Sequence, residues 1–367
     1  MNHPKILVTG ATGKTGAAVV AQLRAKNWPV RAVVRTRDAR SERLDRMGVE
    51  TVVADLYDSE QLLAAMRGTT SAYYCPPFQP YMIESATAFA AAAREARLES
   101  IVALSQWLAS PAHPSLLTRQ SWLAEQLFAM LPDAALTVVN PGYFADNYLG
   151  WGMFEMAAHL GVYPLLTRDS RNAPPSNEDI ARVAVAALID PATHAGRRYR
   201  PTGPALLSAP DMIEIMGRVL GRKVRGIPMP LWMLTRSGRL NGATAFELSS
   251  LRHYIEDHKQ GAFELGAPTD DVLEVTGQPA EDFESTVRRY AAAPLARRTV
   301  GNFIRTLVDF MVTPLSPGYN LDRIDRQMKF SVPAKARLAM QDDHWKAERH
   351  RQLARQHAQP ARWSVAT

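Results

Sequence analysis

Along the first 140 residues the apolar positions fall into short unbroken runs separated by longer stretches of helical period. Ile6-Leu7-Val8 and Val52-Val53-Ala54 show no polar alternation, the pattern of strands covered by helices on both faces. The runs predict strands over Lys5–Thr9, Val30–Arg35, Thr51–Ala54, Ser71–Cys75, Ile101–Ser105 and Leu136–Asn140. Between them Thr15–Lys26, Ser59–Arg67, Ile83–Arg97 and Leu116–Leu131 read as helices. Alternation at this spacing predicts an α/β fold with a doubly wound parallel sheet.

After Pro141 the rhythm changes. Residues 142–175 mix Gly, Tyr, Phe, Trp and Met without clear period. A helix over Asn177–Leu188 follows, opened by Ser176-Asn177-Glu178-Asp179. Tyr199–Ser208 reads as strand or turn, Pro210–Leu220 as helix, and Gly221–Pro230 as a second short strand and turn. The expected organisation is a doubly wound core over 1–150, a smaller α/β cap with interleaved core elements over 151–292, and a basic helical extension over 293–367. In the extension, Val300–Val312 forms an amphipathic helix with Phe303, Ile304, Leu307, Val308 and Met311 on one side, stopped by Pro314–Tyr319. From Ala334 the chain is helix-prone and carries Arg349, Arg351, Arg355 and Arg362.

Charge sharpens this division. The net charge is +7, and residues 293–367 alone hold 13 Lys and Arg against 6 Asp and Glu, so the body before them is neutral. Three readings of the extension stand open: a helix docked on the body or on a subunit partner ahead of a solvated tail, attachment to an anionic membrane surface, and nucleic-acid binding. The last has suitable charge but no DNA-binding motif beside it. One cysteine, Cys75, excludes an intrachain disulfide, and on a buried strand it is expected to be inert. No apolar run approaches the roughly 20 residues of a membrane-spanning helix, and no signal-peptide pattern precedes the first strand. A cytoplasmic protein is expected. His344, His350 and His357 are too widely spaced for a chelating pair one helical turn apart, and no metal site is expected.

The segment Gly10-Ala11-Thr12-Gly13-Lys14-Thr15-Gly16 follows the first strand and opens the first helix, as in the glycine-rich turn of a Rossmann domain. Gly10 suits the tight turn, Gly13 the approach of backbone N–H groups to a pyrophosphate, and Gly16 close packing of helix on sheet. Gly13-Lys14-Thr15 imitates the end of a P-loop, but that motif requires a glycine where Val8 stands. At the end of the second strand, where NAD sites carry a carboxylate, the chain reads Val34-Arg35-Thr36-Arg37. A guanidinium matches a 2′-phosphate bidentately, so Arg35, supported by Thr36 and Arg37, points to NADP(H) over NAD(H). A solvated basic turn is the competing reading. Asp55 and Leu56, ending the third strand, would flank the adenine.

With these features the chain resembles the NmrA-like family of atypical short-chain dehydrogenases over roughly residues 4–292. The carriers are Val8 to Gly16, Val30-Arg-Ala-Val-Val-Arg35, Asn140-Pro-Gly-Tyr-Phe-Ala-Asp-Asn147, Asp179-Ile180, Tyr199 to Ser208, and Val272-Leu-Glu-Val-Thr-Gly277 through Phe283. Asn140 stands where the resemblance expects arginine. The resemblance implies the fold and a bound NAD(P)H. The family contains reductases, quinone reductases among them, and redox-sensing regulators that bind the dinucleotide without chemistry.

Ordinary short-chain dehydrogenases use Tyr-x-x-x-Lys, in which the lysine lowers the tyrosine pKa for proton transfer to a carbonyl oxygen. Here no tyrosine has a lysine four residues on, and no lysine occurs between Lys26 and Lys223. Ser121 falls where the resemblance would put one. Hydride transfer to a quinone needs less assistance, because positioning supplies much of the catalysis. Ser105, ending the fifth strand, is the candidate donor to the acceptor oxygen. Tyr74 and Pro76, within Tyr73-Tyr-Cys-Pro-Pro77, would line the nicotinamide half of the crevice, and Tyr143, Phe144 and Asn147 the acceptor wall. For each of these, local satisfaction or core packing is the competing reading. Two functions follow: an NADPH-dependent oxidoreductase for a small apolar acceptor such as a quinone, or an NADP(H)-sensing regulator acting through a protein partner. A homo-oligomer is compatible with either.

Overall fold

In the computed structural model, which describes residues 3–167 and 170–358, the apolar runs lie side by side as parallel strands. The first part of the chain alternates strictly: β1 (Lys5–Val8), α1 (Lys14–Ala25), β2 (Val30–Val34), α2 (Ala39–Arg46), β3 (Glu50–Val53), α3 (Ser59–Met66), β4 (Thr69–Tyr74), α4 (Met82–Glu95), β5 (Ser100–Leu104), α5 (Leu116–Ala129) and β6 (Ala135–Val139). Then come α6 (Ala145–Leu149), α7 (Met153–Leu160), β7 (Val162–Leu165), α8 (Asn177–Ile189), α9 (Pro191–His194), β8 (Arg198–Tyr199), α10 (Ala209–Leu220) and β9 (Arg225–Pro228). The remainder is helical: α11 (Leu231–Leu240), α12 (Ala245–Lys259), α13 (Asp271–Thr276), α14 (Phe283–Ala291), α15 (Val300–Val312), α16 (Leu321–Gln327) and α17 (Asp343–Ala358).

The main sheet runs β3-β2-β1-β4-β5-β6-β8. Strand order reverses between β1 and β4, which opens a crevice outside their carboxyl ends. Successive residues of a strand face opposite ways, so Ile6 and Val8 pack with Val19 and Val183 of α1 and α8, while Leu7 packs with Leu62, Phe89 and Phe128 of α3, α4 and α5. Helix α2 carries no apolar period that predicts it. It forms because the Asp38 side chain accepts from the Arg40 and Ser41 N–H groups and Ser41 closes a reciprocal capping box. Of Tyr199–Ser208, only Tyr199 is in a strand, and a bridge from Leu207 to Asn172 holds the far end.

The cap is not continuous in sequence. Helices α6, α7, α10 and α14 share a core of Phe154, Tyr163, Met216, Phe283 and Val287 beside the two-stranded β7–β9 sheet. Between them the chain returns to the main sheet, laying α8 on α1 and β8 beside β6.

The extension is built into the body. Arg252 of α12 pairs with Asp322 at 2.5 Å and Asp325 at 2.6 Å on α16. In α17, Trp345 is buried and its indole N–H donates to the Trp107 carbonyl at 3.2 Å. Arg349 of the basic stretch is also buried. Its guanidinium carbon lies 4.8 Å and 4.7 Å from the Trp107 and Trp345 rings, and it too donates to the Trp107 carbonyl. Two aromatic faces and one acceptor surround it, while its Nε and Nη1 have no hydrogen-bond partner among the described residues. Arg362 lies outside the described residues, as do the side chains of Arg355 and His357. Among the described residues no helix is long and apolar enough to cross a membrane. Trp345→Ala should cost about 3–5 kcal/mol in urea unfolding. A dispensable extension would leave the unfolding midpoint unchanged.

Candidate functional site

At the crevice the turn after β1 is made by close approach. Gly10 has φ +62°, and a Cβ there would stand 2.9 Å from the Cys75 side chain. A Cβ on Gly16 would stand 2.2 Å from the Gly10 carbonyl oxygen. Gly13 caps α1 in extended conformation with no side-chain cap, so the N–H groups of the first turn remain for an anion. Ala11 is buried beneath the turn and Thr12 half-buried at it. Thr15 differs from expectation: its hydroxyl donates to Asn177 Oδ1 at 2.7 Å, tying α1 to α8, and only its backbone serves the loop. The Lys14 ammonium is exposed yet held, 3.0 Å from Asp146 and 2.6 Å from the Tyr290 hydroxyl. Asp146 also accepts from Tyr290 and from Asn177.

Beyond β2, Arg35 and Thr36 are exposed, and among the described residues Arg35 enters no ion pair. Arg37 is corrected: its guanidinium donates to Asp45 at 2.6 Å and to the Thr51 carbonyl at 2.8 Å, so it braces α2 against β3. The nearest acid, Asp38, caps α2 and pairs with Arg40, whose hydrogen bond holds its carboxyl below the ordinary range. It offers nothing to a ribose hydroxyl. Asp55 is exposed and accepts from the Tyr57 N–H at 3.0 Å, while Leu56 leans on the core beneath α3 and α4.

Tyr74 is also corrected. It points away from the crevice into the core, in contact with Phe89 and Phe128, its hydroxyl 2.8 Å from Ser85. Strand alternation sends it there, and burial raises its phenol pKa. Pro76 stays half-buried at the crevice. Burial pushes the Cys75 thiol up to about 12, so it is inert as expected.

The hydroxyl of Ser105 is not free for an acceptor. It donates to buried Glu125, which also accepts from Asn140 Nδ2 at 2.7 Å and pairs with Arg198 at 2.6 Å. Arg198 in turn donates to Asn140 Oδ1 at 2.9 Å. A guanidinium therefore does stand beside residue 140, supplied by β8. Ser121 exchanges its hydrogen bonds with Gln106 and the Leu117 carbonyl.

Past β6, Tyr143 and Asn147 line an aromatic cavity together with Tyr148, Tyr163, Tyr254 and His258. Phe144 is corrected: it packs against the α1–α8 side of the core. The Tyr148 hydroxyl lies 2.7 Å from His258 Nε2, and Ser170 Oγ lies 2.7 Å from Nδ1. Burial lowers His258 to about 4 and raises the phenols of Tyr143 and Tyr148, so all three are neutral near pH 7. Sequence reasoning passed over Tyr148, Ser170 and His258. The available signal was Tyr254-x-x-x-His258, one helical turn on α12 that sets both side chains on the cavity. The free space is about 30 Å³, enough for water. A ring-sized guest requires repacking, which Met153 and Met212 in its wall permit.

The NmrA-like family profile matches residues 2–111. A (4-alkanoyl-5-oxo-2,5-dihydrofuran-3-yl)methyl phosphate reductase of Streptomyces griseus is 33% identical over 299 residues, covering 78% of this chain and 98% of that protein. An NAD(P)H azoreductase of Xenophilus azovorans is 29% identical over 295 residues, with the same coverage of both. Among solved structures, an NADPH-dependent quinone oxidoreductase of Escherichia coli complexed with NADPH superposes with a TM-score of 0.66 at 20% identity, over 77% of this chain and 99% of that one. The sequence motifs, the doubly wound sheet with its discontinuous cap, and these full-length similarities have one reading: the chain belongs to the NmrA-like family.

Proposed function

We propose that this protein is an NADPH-dependent reductase of small, flat, apolar acceptors, of which a quinone is the type. The observation that carries the reading is the pairing of a turn closed to a Cβ at Gly10 and Gly16 with an exposed Arg35 that enters no ion pair among the described residues, where a ribose-binding carboxylate would otherwise stand. Two curated relatives that span most of this chain are named as reductases, one of them using NAD(P)H.

Bound NADPH would supply the hydride. The N–H groups of the first turn of α1 hold the pyrophosphate, and the Arg35 guanidinium takes the 2′-phosphate, with Thr36 beside it. Lys14, fixed by Asp146 and Tyr290, ties the cradle to α6 and keeps the aromatic cavity in register with it. With Ser170 donating to Nδ1, the His258 Nε2–H donates to the Tyr148 oxygen and leaves the phenol proton directed into the cavity. Tyr148 then protonates the oxygen of the reduced acceptor, the role for which Ser105 is not free.

A second reading, a dinucleotide-responsive regulator, is favoured by the small size of the cavity. NADPH consumption by the purified protein with and without a panel of quinones separates the two. Acceptor-dependent oxidation supports the reductase, whereas tight NADPH binding without turnover decides for the regulator.

Arg35→Ser should reduce the preference for NADPH over NADH by about 10–100-fold in calorimetric titration, the worth of a charged hydrogen bond. An unchanged ratio would remove Arg35 from the site. Tyr148→Phe should lower kcat roughly a hundredfold while leaving NADPH affinity intact. The same histidine makes a pH signature. An unfolded histidine titrates near 6.5, so below that pH the unfolded state binds a proton that folded His258 refuses until about 4. Stability should therefore fall as pH drops from 7 to 5. In His258→Gln that fall, read from urea unfolding, should be smaller by about 2 kcal/mol.

A further inference from the structure

Helix α15 is inside out. Its inward stripe is polar, with Asn302 half-buried and Thr306 4% exposed, and Thr313 just beyond its end is also buried. Its outward arc is Val300, Ile304, Leu307, Val308 and Met311, flanked by Phe303 and Phe310. Val300 is 76% and Met311 62% exposed. The short turn that follows adds Leu315 at 85% exposure. That turn packs on α11, whose Leu231 and Trp232 are exposed as well. An ordinary amphipathic helix buries the stripe that this one presents to water. A contiguous apolar ridge of this kind on a folded body marks a surface that is covered in use.

The charges around the ridge identify the cover. Segments 231–240 and 293–320 hold five arginines, Arg236, Arg239, Arg297, Arg298 and Arg305, and one acid, Asp309. Among the described residues none of the five forms an ion pair. Arg236 and Arg298 bond backbone carbonyls of Pro314 and Leu220, and Arg239 lies over the Tyr319 ring. Among the described residues, Asp309 is the one acid on these two segments. A two-fold contact between copies would bring the same arginines against each other, which opposes it. The ridge is a convex helix rather than a groove, with Trp232 at its edge, the residue that favours a boundary between water and hydrocarbon.

We infer that α15, its following turn and the start of α11 seat this protein on an anionic phospholipid surface, the apolar arc entering the headgroup layer and the five arginines meeting lipid phosphates. The inference is independent of the acceptor.

The test is flotation of the full-length chain with vesicles of phosphatidylcholine containing a quarter phosphatidylglycerol, against phosphatidylcholine alone. Wild type should float with the anionic vesicles, and raised salt should weaken the association. Ile304→Asp with Met311→Asp should reduce binding by about tenfold or more. Both positions are exposed, so the thermal midpoint and NADPH affinity should be unchanged. Replacing Arg297, Arg298 and Arg305 by Gln should cost about fivefold per arginine at low salt. Protein that stays in the dense fraction with both vesicle types overturns the proposal. So does a doubled mass in light scattering that the Ile304 and Met311 variants abolish, since a second copy would then be the cover.

Discussion

The approach of α1 to β1 through Gly16 and the Gly10 carbonyl is the contact on which the rest of the site depends. Only hydrogen fits there. Because the helix starts that close, its first residues reach three distant elements: Thr15 finds Asn177 on α8, and Lys14 finds Asp146 on α6 and Tyr290 on α14. Asp146 and Asn177 are themselves bonded, so one glycine contact sets the spacing of sheet, return helix and cap. The cradle is thereby bonded to Asp146, the chain neighbour of Asn147 in the cavity wall.

A second polar cluster closes the far side of the crevice. Glu125 is buried, one oxygen accepting from Ser105 and Asn140 and the other paired with the Arg198 guanidinium. A buried carboxylate is costly without such partners, and removing any one leaves the charge exposed to a low-dielectric surrounding. Arg198 and Arg200 lie next along β8 and its exit, and both face Glu348 of α17. The extension thus lends one of its few acids, Glu348, to arginines of the body, and the five arginines beside α15 are of a different kind, entering no ion pair among the described residues.

The sheet was legible because its strands, covered on both faces, print as unbroken apolar runs, and all six expected core strands are found within two residues of their anticipated ends. The glycine loop was legible because each glycine answers a local backbone demand. What could not be read was decided by partners that lie outside each motif. Tyr74 looks like a crevice aromatic until strand alternation and Phe128 claim it. Arg37 looks like a phosphate ligand until Asp45 turns toward it. Arg349 is indistinguishable from a surface base without Trp107. Helix α2 was missed for a local reason, since its cap and not its apolar pattern makes it.

The union of Trp107 with Trp345 and Arg349 spans 238 and 242 residues of chain. A ribosome delivers the sheet first and this helix much later, and domains begin to form as they emerge. Until that helix docks, the Trp107 carbonyl just after β5 lacks the two donors that α17 brings to it, although its indole N–H already has the Ala262 carbonyl. The wall beside the cradle is therefore completed by residues more than 230 positions after the strand it borders, so truncating the chain before α17 removes the donors of a buried carbonyl in the core.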